Sequence, residues 1–230
     1  MDQSFRLFVA VLGLLAALAS AQDDDMTNYK CAFRPPPKAI RDQYEAQVSE
    51  YIAGRKHQGK DDDDDDEVEV VELIKIPTYW HNIETDAGLG GVTLEQIEAN
   101  MAVLNDSFES AGFYFELMAV TNTMNSDYYS YSIDLELPPG DDPRFQLTPV
   151  QSEARMKTEL KEGGCNTLNI YSNQPFDGIF SIIGDSTVPF FCQGADTTMD
   201  GVIVNTEAVV GGSFTGLNRG KVLVHEVGHW

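Results

Sequence analysis

The sequence predicts an α/β domain, and three observations support that fold class. From residue 68 onward, segments rich in β-branched and aromatic residues alternate with segments of helical periodicity. Two Thr-x-x-Gln capping boxes, at 93–96 and 148–151, mark helix starts between those strands. With 230 residues, 42% of them hydrophobic, the chain is long enough to bury one core. Such an order of strands and helices packs helices against a sheet.

The first half of this domain contains two predicted strands and one predicted helix. Residues 68–83, rich in Val, Ile, Tyr and Trp, predict the first strand. The first capping box opens a helix that we expect to run to about residue 111, and residues 113–120 then alternate like a strand. Residues 122–147 carry many Asn, Asp, Pro and Gly, which predicts a loop or an irregular edge.

The second half begins with a helix that has Pro149 in its first turn and that we expect to end at the Gly163-Gly164 pair. The remaining predicted strands are short and cover residues 167–171, 182–191 (bent at Gly184 and Pro189) and 201–205. Glycines at 211, 212 and 216 indicate turns, after which a last helix begins near Asn218 and continues to Trp230.

The N-terminal 67 residues have the features of export and linker segments. Arg6, an apolar run at 7–18 and Ala19-Ser20-Ala21 form a signal peptide over residues 1–21, too short to span a bilayer. Residues 22–67 are poor in core-forming side chains. Within them, six consecutive aspartates at 61–66 predict a solvated linker, the alternative being a loose Ca²⁺-attracting tract. We therefore expect a secreted, extracellular protein whose folded domain covers residues 68–230.

The charge balance excludes several classes of partner. The chain has 37 acidic and 15 basic residues, a net charge of −22. Nucleic acids and anionic membranes both require a basic surface, so neither is an expected partner after signal cleavage. An acidic surface instead attracts cations, Ca²⁺ included. The sequence does not predict an oligomeric state.

The last predicted helix carries the clearest functional motif, His225-Glu226-x-x-His229. Residues four apart on a helix face the same way, so both imidazoles can bind one Zn²⁺ ion. Glu226 can reach a water on that ion and act as the general base of peptide hydrolysis. His81 and His57 are poor candidates for a third protein ligand, which we expect beyond Trp230. A thermolysin-like zinc peptidase, with a later Glu as third ligand, and a non-catalytic truncated secreted protein remain alternatives.

Residues 218–230 closely resemble the start of the zinc helix in the pappalysin family of metzincin metalloproteases, which includes ulilysin-like secreted enzymes. Shorter segments similar to that family's strands and first helix occur in the same order, at residues 76–83, 94–108, 163–171, 184–189 and 200–204. The resemblance implies a metzincin-like upper subdomain with a twisted mixed sheet that ends in the zinc helix. It also implies a secreted zinc endopeptidase made as a zymogen, acting on proteins or peptides.

The family signature continues past the second histidine with a Gly, a third His and a Met-containing turn. We expect those features, and the C-terminal subdomain, to be absent from the chain as given, which would then be inactive. Residues 68–230 thus correspond to the N-terminal part of the catalytic domain, and residues 22–67 to a pro-segment with its acidic linker.

Three cysteines, Cys31, Cys165 and Cys192, remain in a chain bound for an oxidising compartment. An odd count leaves one for a free thiol, an intermolecular bridge or a metal ligand. We expect a disulfide between Cys165 and Cys192, both in the folded region. The family resemblance implies that Cys31 caps the zinc in the precursor. From its polar composition, we expect the Gly54-Arg55-Lys56 stretch to be exposed and to be the cleavage site that releases the thiol. Asn105 begins a glycosylation sequon inside a predicted helix, so its occupancy stays open.

Overall fold

The computed structural model describes residues 29–31, 73–132, 149–177, 180–187 and 197–230, together with positions 38, 42, 46 and 49. The strands are β1 (Tyr29–Cys31), β2 (Ile74–Glu84), β3 (Phe113–Met124), β4 (Leu168–Asn173), β5 (Phe176–Asp177), β6 (Phe180–Ser186) and β7 (Val202–Asn205). The helices are α1 (Leu94–Phe108), α2 (Ser126–Tyr129), α3 (Pro149–Leu160) and α4 (Lys221–His229), with a 3₁₀ turn at Glu109–Ala111.

Within the described residues all seven strands join one mixed sheet. Its order is β1-β6-β7-β4-β2-β3, with β5 paired to β6. Strands β3, β2, β4 and β7 run parallel to one another, whereas β6 is antiparallel to β7. The N-terminal strand β1 adds to the far side of β6, in parallel orientation. The prediction of a mixed α/β sheet is confirmed, although nothing in this topology tests whether it is a metzincin sheet.

Strands β4 and β7 in the middle of the sheet are buried on both faces, because their successive residues enter different core clusters. Val202 and Val204 of β7 belong to the cluster that contains α1 and α4, whereas Ile203 between them belongs to the other. Ile170 and Tyr171 of β4 divide in the same way. This period of two, with both faces apolar, is typical of strands covered by helices on each side. Helix α4 therefore lies against one face, and Met156 of α3 packs on the opposite face.

The first helix begins where its capping box predicts. Thr93 accepts from the backbone N–H of Gln96, and the Gln96 side chain accepts from the backbone N–H of Thr93. The helix ends at Phe108 and a 3₁₀ turn continues to Ala111, closed by Gly112 at φ 83°. The helix end predicted near residue 111 is therefore the end of the 3₁₀ turn, and the α-helix itself ends three residues earlier.

Several predicted bounds are wrong or lie outside the described residues. The interval 122–147, predicted as a loop or an irregular edge, contains the end of the edge strand β3 and helix α2, because β3 continues alongside β2 as far as Met124. Helix α3 ends at Leu160, before the glycine pair, and helix α4 begins at Lys221 after Gly220. The signal peptide, the aspartate run, the cleavage region, His57, Pro189 and Cys192 fall outside the described residues. In the part described, no helix has the length and apolarity needed to cross a membrane.

Candidate metal centre

The motif helix α4 is anchored by its apolar side. Gly220 precedes it in the left-handed conformation, at φ 76°, where a side chain would be strained. Leu223, Val227 and Trp230, which lie on one side of the helix, are all buried. Contacts with α1, β6 and β7 fix the helix on the sheet, so the opposite side, carrying His225 and His229, faces away from the core.

The two histidines aim the same ring nitrogen at one point. Their Nε2 atoms lie 3.1 Å apart, and the rings meet nearly edge to face at 88°. Two nitrogens bound to one tetrahedral zinc at 2.0–2.1 Å would be about 3.3 Å apart. Burial lowers the pKa of both imidazoles, and repulsion by His225 helps to bring that of His229 to about 4. Both rings therefore favour the neutral form in which imidazole binds metals.

A thiol from the N-terminal strand lies beside this pair. Cys31 is a reduced cysteine, and its Sγ and the ring nitrogens of His225 and His229 all lie within 4.8 Å of one another. The pairing of β1 with β6 sets Cys31 opposite Gly184. Among the described residues this is the one group of three or more His, Cys, Asp or Glu that could hold a metal ion. Its N₂S donor set suits Zn²⁺.

The motif glutamate lies next to these donors and is completely buried. Oε2 of Glu226 accepts a hydrogen bond from Cys31 Sγ at 3.5 Å, and Oε1 has no hydrogen-bond partner in the described part of the chain. Burial raises the pKa of Glu226 to about 8, opposed by the Cys31 hydrogen bond and assisted by nearby Asp185. A buried carboxylate oxygen without a partner is costly, and it is the kind of atom that accepts a proton from a bound substrate or water.

Gly184 provides the room that Glu226 occupies. A Cβ on Gly184 would lie 2.5 Å from Glu226 Oε1 and 2.6 Å from its Cγ. The sequence marked this glycine only as a bend. Its position inside a predicted strand could have indicated this contact, because a glycine within a strand often marks the close approach of another group.

His81, predicted to be a poor candidate for a metal ligand, has hydrogen-bond partners for both ring nitrogens. Its Nδ1 lies 2.9 Å from Thr121 Oγ1 and its Nε2 lies 3.0 Å from Asn169 Oδ1, and the ring stacks on Tyr171. Both nitrogens are thus used within the sheet. Cys165 lies in the turn before β4, but Cys192 is not among the described residues, so their disulfide stays a prediction.

The chain is similar to several extracellular metalloproteases of fungi. No family model matches the chain. It is 31% identical to an extracellular metalloprotease of Verticillium alfalfae over 183 residues, 77% of this chain and 57% of that protein. It is 30% identical to one of Arthroderma gypseum over 162 residues, 70% of this chain and 48% of that protein. Extracellular metalloprotease 1 of Coccidioides posadasii is 26% identical over 229 residues, 98% of this chain and 71% of that protein. The chain spans about half the length of the first two.

Proposed function

We propose, from this similarity to extracellular metalloproteases, that the chain is the N-terminal part of a secreted zinc endopeptidase of the pappalysin kind, made as a zymogen. The named relatives support a metalloprotease that uses a metal, acts on proteins or peptides and is extracellular. Zinc, the proton carrier, latency and the subfamily are the finer parts of the proposal. One observation carries it: two imidazole Nε2 atoms 3.1 Å apart beside a buried carboxylate.

The donor set fits zinc better than the harder divalent cations. His225 and His229 supply nitrogen and Cys31 supplies sulfur, whereas Ca²⁺ and Mg²⁺ prefer oxygen ligands. His225 and His229 would hold the ion in the active enzyme. Bound there, zinc lowers the pKa of the attacking water and polarises the scissile carbonyl.

Glu226 would carry the proton. Its Oε1 has no hydrogen-bond partner among the described residues, and its Oε2 lies 3.5 Å from Cys31 Sγ, which is itself within 4.8 Å of the histidine nitrogens. The carboxyl can therefore accept a proton from the attacking water. The same carboxyl can then donate that proton to the leaving amine. Complete burial and the close approach of Gly184 hold the carboxyl in one position, which is what efficient proton transfer requires.

Cys31 would keep the precursor silent by binding the metal where the attacking water must stand. The pairing of β1 with β6 supports this idea, because it brings the thiol to the histidine pair without help from the rest of residues 22–67. Thiolate is a strong zinc ligand, and the ion lowers the thiol pKa. Cleavage after residue 31, for which we retain Gly54-Arg55-Lys56 as the candidate, would release it.

The test separates metal binding from proton transfer. In the 230-residue chain, Glu226→Ala should retain stoichiometric zinc, whereas His225→Ala and His229→Ala should lose it. In a processed enzyme extended past Trp230 by its natural downstream sequence, Glu226→Ala should abolish peptide hydrolysis, and zinc chelators should do the same to the parent.

Glu98→Ala, an exposed change on α1, is the matched control and should alter neither property. Full hydrolysis by Glu226→Ala would overturn the assigned mechanism. A thermolysin-like enzyme would give the same results, and a ligand search beyond Trp230 by mutation of each His and Glu there would distinguish the two.

A further inference from the structure

The end of the motif helix is tied to a buried carboxylate that the mechanism above does not use. Asp200, immediately before Gly201 and β7, is 1% exposed. Its Oδ1 accepts a hydrogen bond of 2.9 Å from the indole Nε1 of Trp230, the residue that follows His229. One short contact therefore joins the segment entering β7 to the last turn of α4.

The position of Asp200 is costly for an anion. Burial raises the pKa of Asp200, because the charged form loses its hydration. Groups that offset this cost are the Trp230 indole, Lys161 Nζ at 3.9 Å from Oδ2, and Thr187 Oγ1 at 3.5 Å from Oδ1. The charge of Lys157 also acts in this direction. A carboxylate held in this way is restricted to one orientation.

Helix α3 fixes the backbone beside Asp200 as well. Lys157, only 1% exposed, donates from Nζ to the carbonyl of Met199 at 2.9 Å and pairs with Glu153 at 2.8 Å. The carboxylate thus stands on a segment anchored from the opposite face of the sheet. Because the Asp200 carboxylate lies on a rigid segment, its hydrogen bond restrains the position of the Trp230 side chain.

We propose that Asp200 is a positioning residue for the metal ligand His229, acting through the indole of Trp230. The inference rests on the proposed zinc function. The backbone of Trp230 continues the hydrogen bonding of α4, because its N–H donates to the Glu226 carbonyl at 3.1 Å. The Asp200–Trp230 bond adds a side-chain restraint one residue from His229. It keeps the imidazole at the separation from His225 that a single ion requires.

The test measures metal affinity in the 230-residue chain at a temperature where every variant is folded. The Asp200→Ala, Trp230→Phe and double variants are titrated with Co²⁺ and with Zn²⁺. The visible absorption of bound Co²⁺ reports the geometry of the ligands. Each single change should weaken binding about tenfold, the lower end for groups that orient metal ligands. The double variant should be no weaker than the singles, because both break the same bond. Asp200→Asn retains an acceptor oxygen and should keep most of the affinity.

Ile83→Val is the matched control, since it removes a buried methyl group from the core cluster that does not contain α4. It should lower the melting temperature without changing metal affinity or the Co²⁺ spectrum. The proposal is overturned if the Asp200 and Trp230 variants keep the metal affinity and Co²⁺ spectrum of the parent, as this control should. It is also overturned if the losses of affinity in the two single variants add in the double variant, or if Asp200→Asn loses as much affinity as Asp200→Ala. A parent chain that binds neither metal would overturn the proposed function and this inference together.

Discussion

Replacing Gly184 with alanine should displace the proposed proton carrier without touching a metal ligand. The new Cβ would stand 2.5 Å from Oε1, 2.6 Å from Cγ and 2.8 Å from Cδ of Glu226, where ordinary contacts begin near 3.4 Å. The carboxyl must therefore retreat by roughly 0.6–0.9 Å. Gly184 does not have a positive φ, so backbone strain plays no part in the expected effect.

The size of the effect follows from that displacement. Overpacking a buried site by one methyl group costs about 1–3 kcal/mol of stability. A misplacement of about 1 Å in a reacting group costs on the order of 10²-fold in rate. We therefore expect Gly184→Ala in the processed, extended enzyme to lose about 10²-fold in kcat, with zinc affinity and KM for a peptide nearly unchanged.

The assay compares kcat, KM and zinc affinity with those of Gly164→Ala. A Cβ on Gly164 meets nothing closer than Asn166 Oδ1 at 3.6 Å, so the same substitution there has room. Adding Glu226→Asp to Gly184→Ala should restore the melting temperature, since the shorter side chain relieves the clash, but not the rate. Parent-like kcat in Gly184→Ala would refute the assignment of Glu226 as the group that moves the proton.

Three other predictions concern the thiols and the buried histidine. An uncleaved, extended precursor with Cys31→Ala should hydrolyse peptides while the parent precursor is silent; equal activity of the two would remove Cys31 as the cap. Cys165 and Cys192 should resist alkylation without reductant, as mass spectrometry can show, whereas two labelled thiols would contradict the disulfide. Burial lowers the pKa of His81, so the unfolded chain binds the proton more readily and stability should fall as pH drops below about 6.5. His81→Gln should make urea unfolding less steeply dependent on pH between about 5 and 7, and an unchanged dependence would contradict the assignment.

Local features of the fold were predictable because neighbouring residues determine them. The capping box at Thr93 and Gln96 involves side chains three positions apart, and the structure has both of its hydrogen bonds. The helix of the motif was predictable for the same reason. The end of β3 was not, because its Asn and Thr residues have the composition of a loop and become a strand only through pairing with β2.

The environment of the histidine pair depends on contacts that no local pattern encodes. Cys31 is 195 positions from Glu226, and the parallel pairing of β1 with β6 brings them together. The family resemblance suggested such a contact, but the sequence does not specify which strand carries the thiol. Gly184 and Asp200 also lie far from the motif in sequence. Neither the contact of Gly184 with Glu226 nor the burial of Asp200 can be predicted from the residues around them.

These distant contacts explain how one short helix can support both the proposed catalysis and its control. The histidine spacing is an intrinsic property of α4, so the two imidazoles come to the same side once that helix forms. The proposed proton carrier needs β6 as well, because Gly184 must leave the space that Glu226 fills. The proposed thiol cap needs β1 on the outer side of that same strand. Removing β1 would therefore uncover the histidine pair while β6, joined to β7 on its other side, continues to hold Glu226 in place.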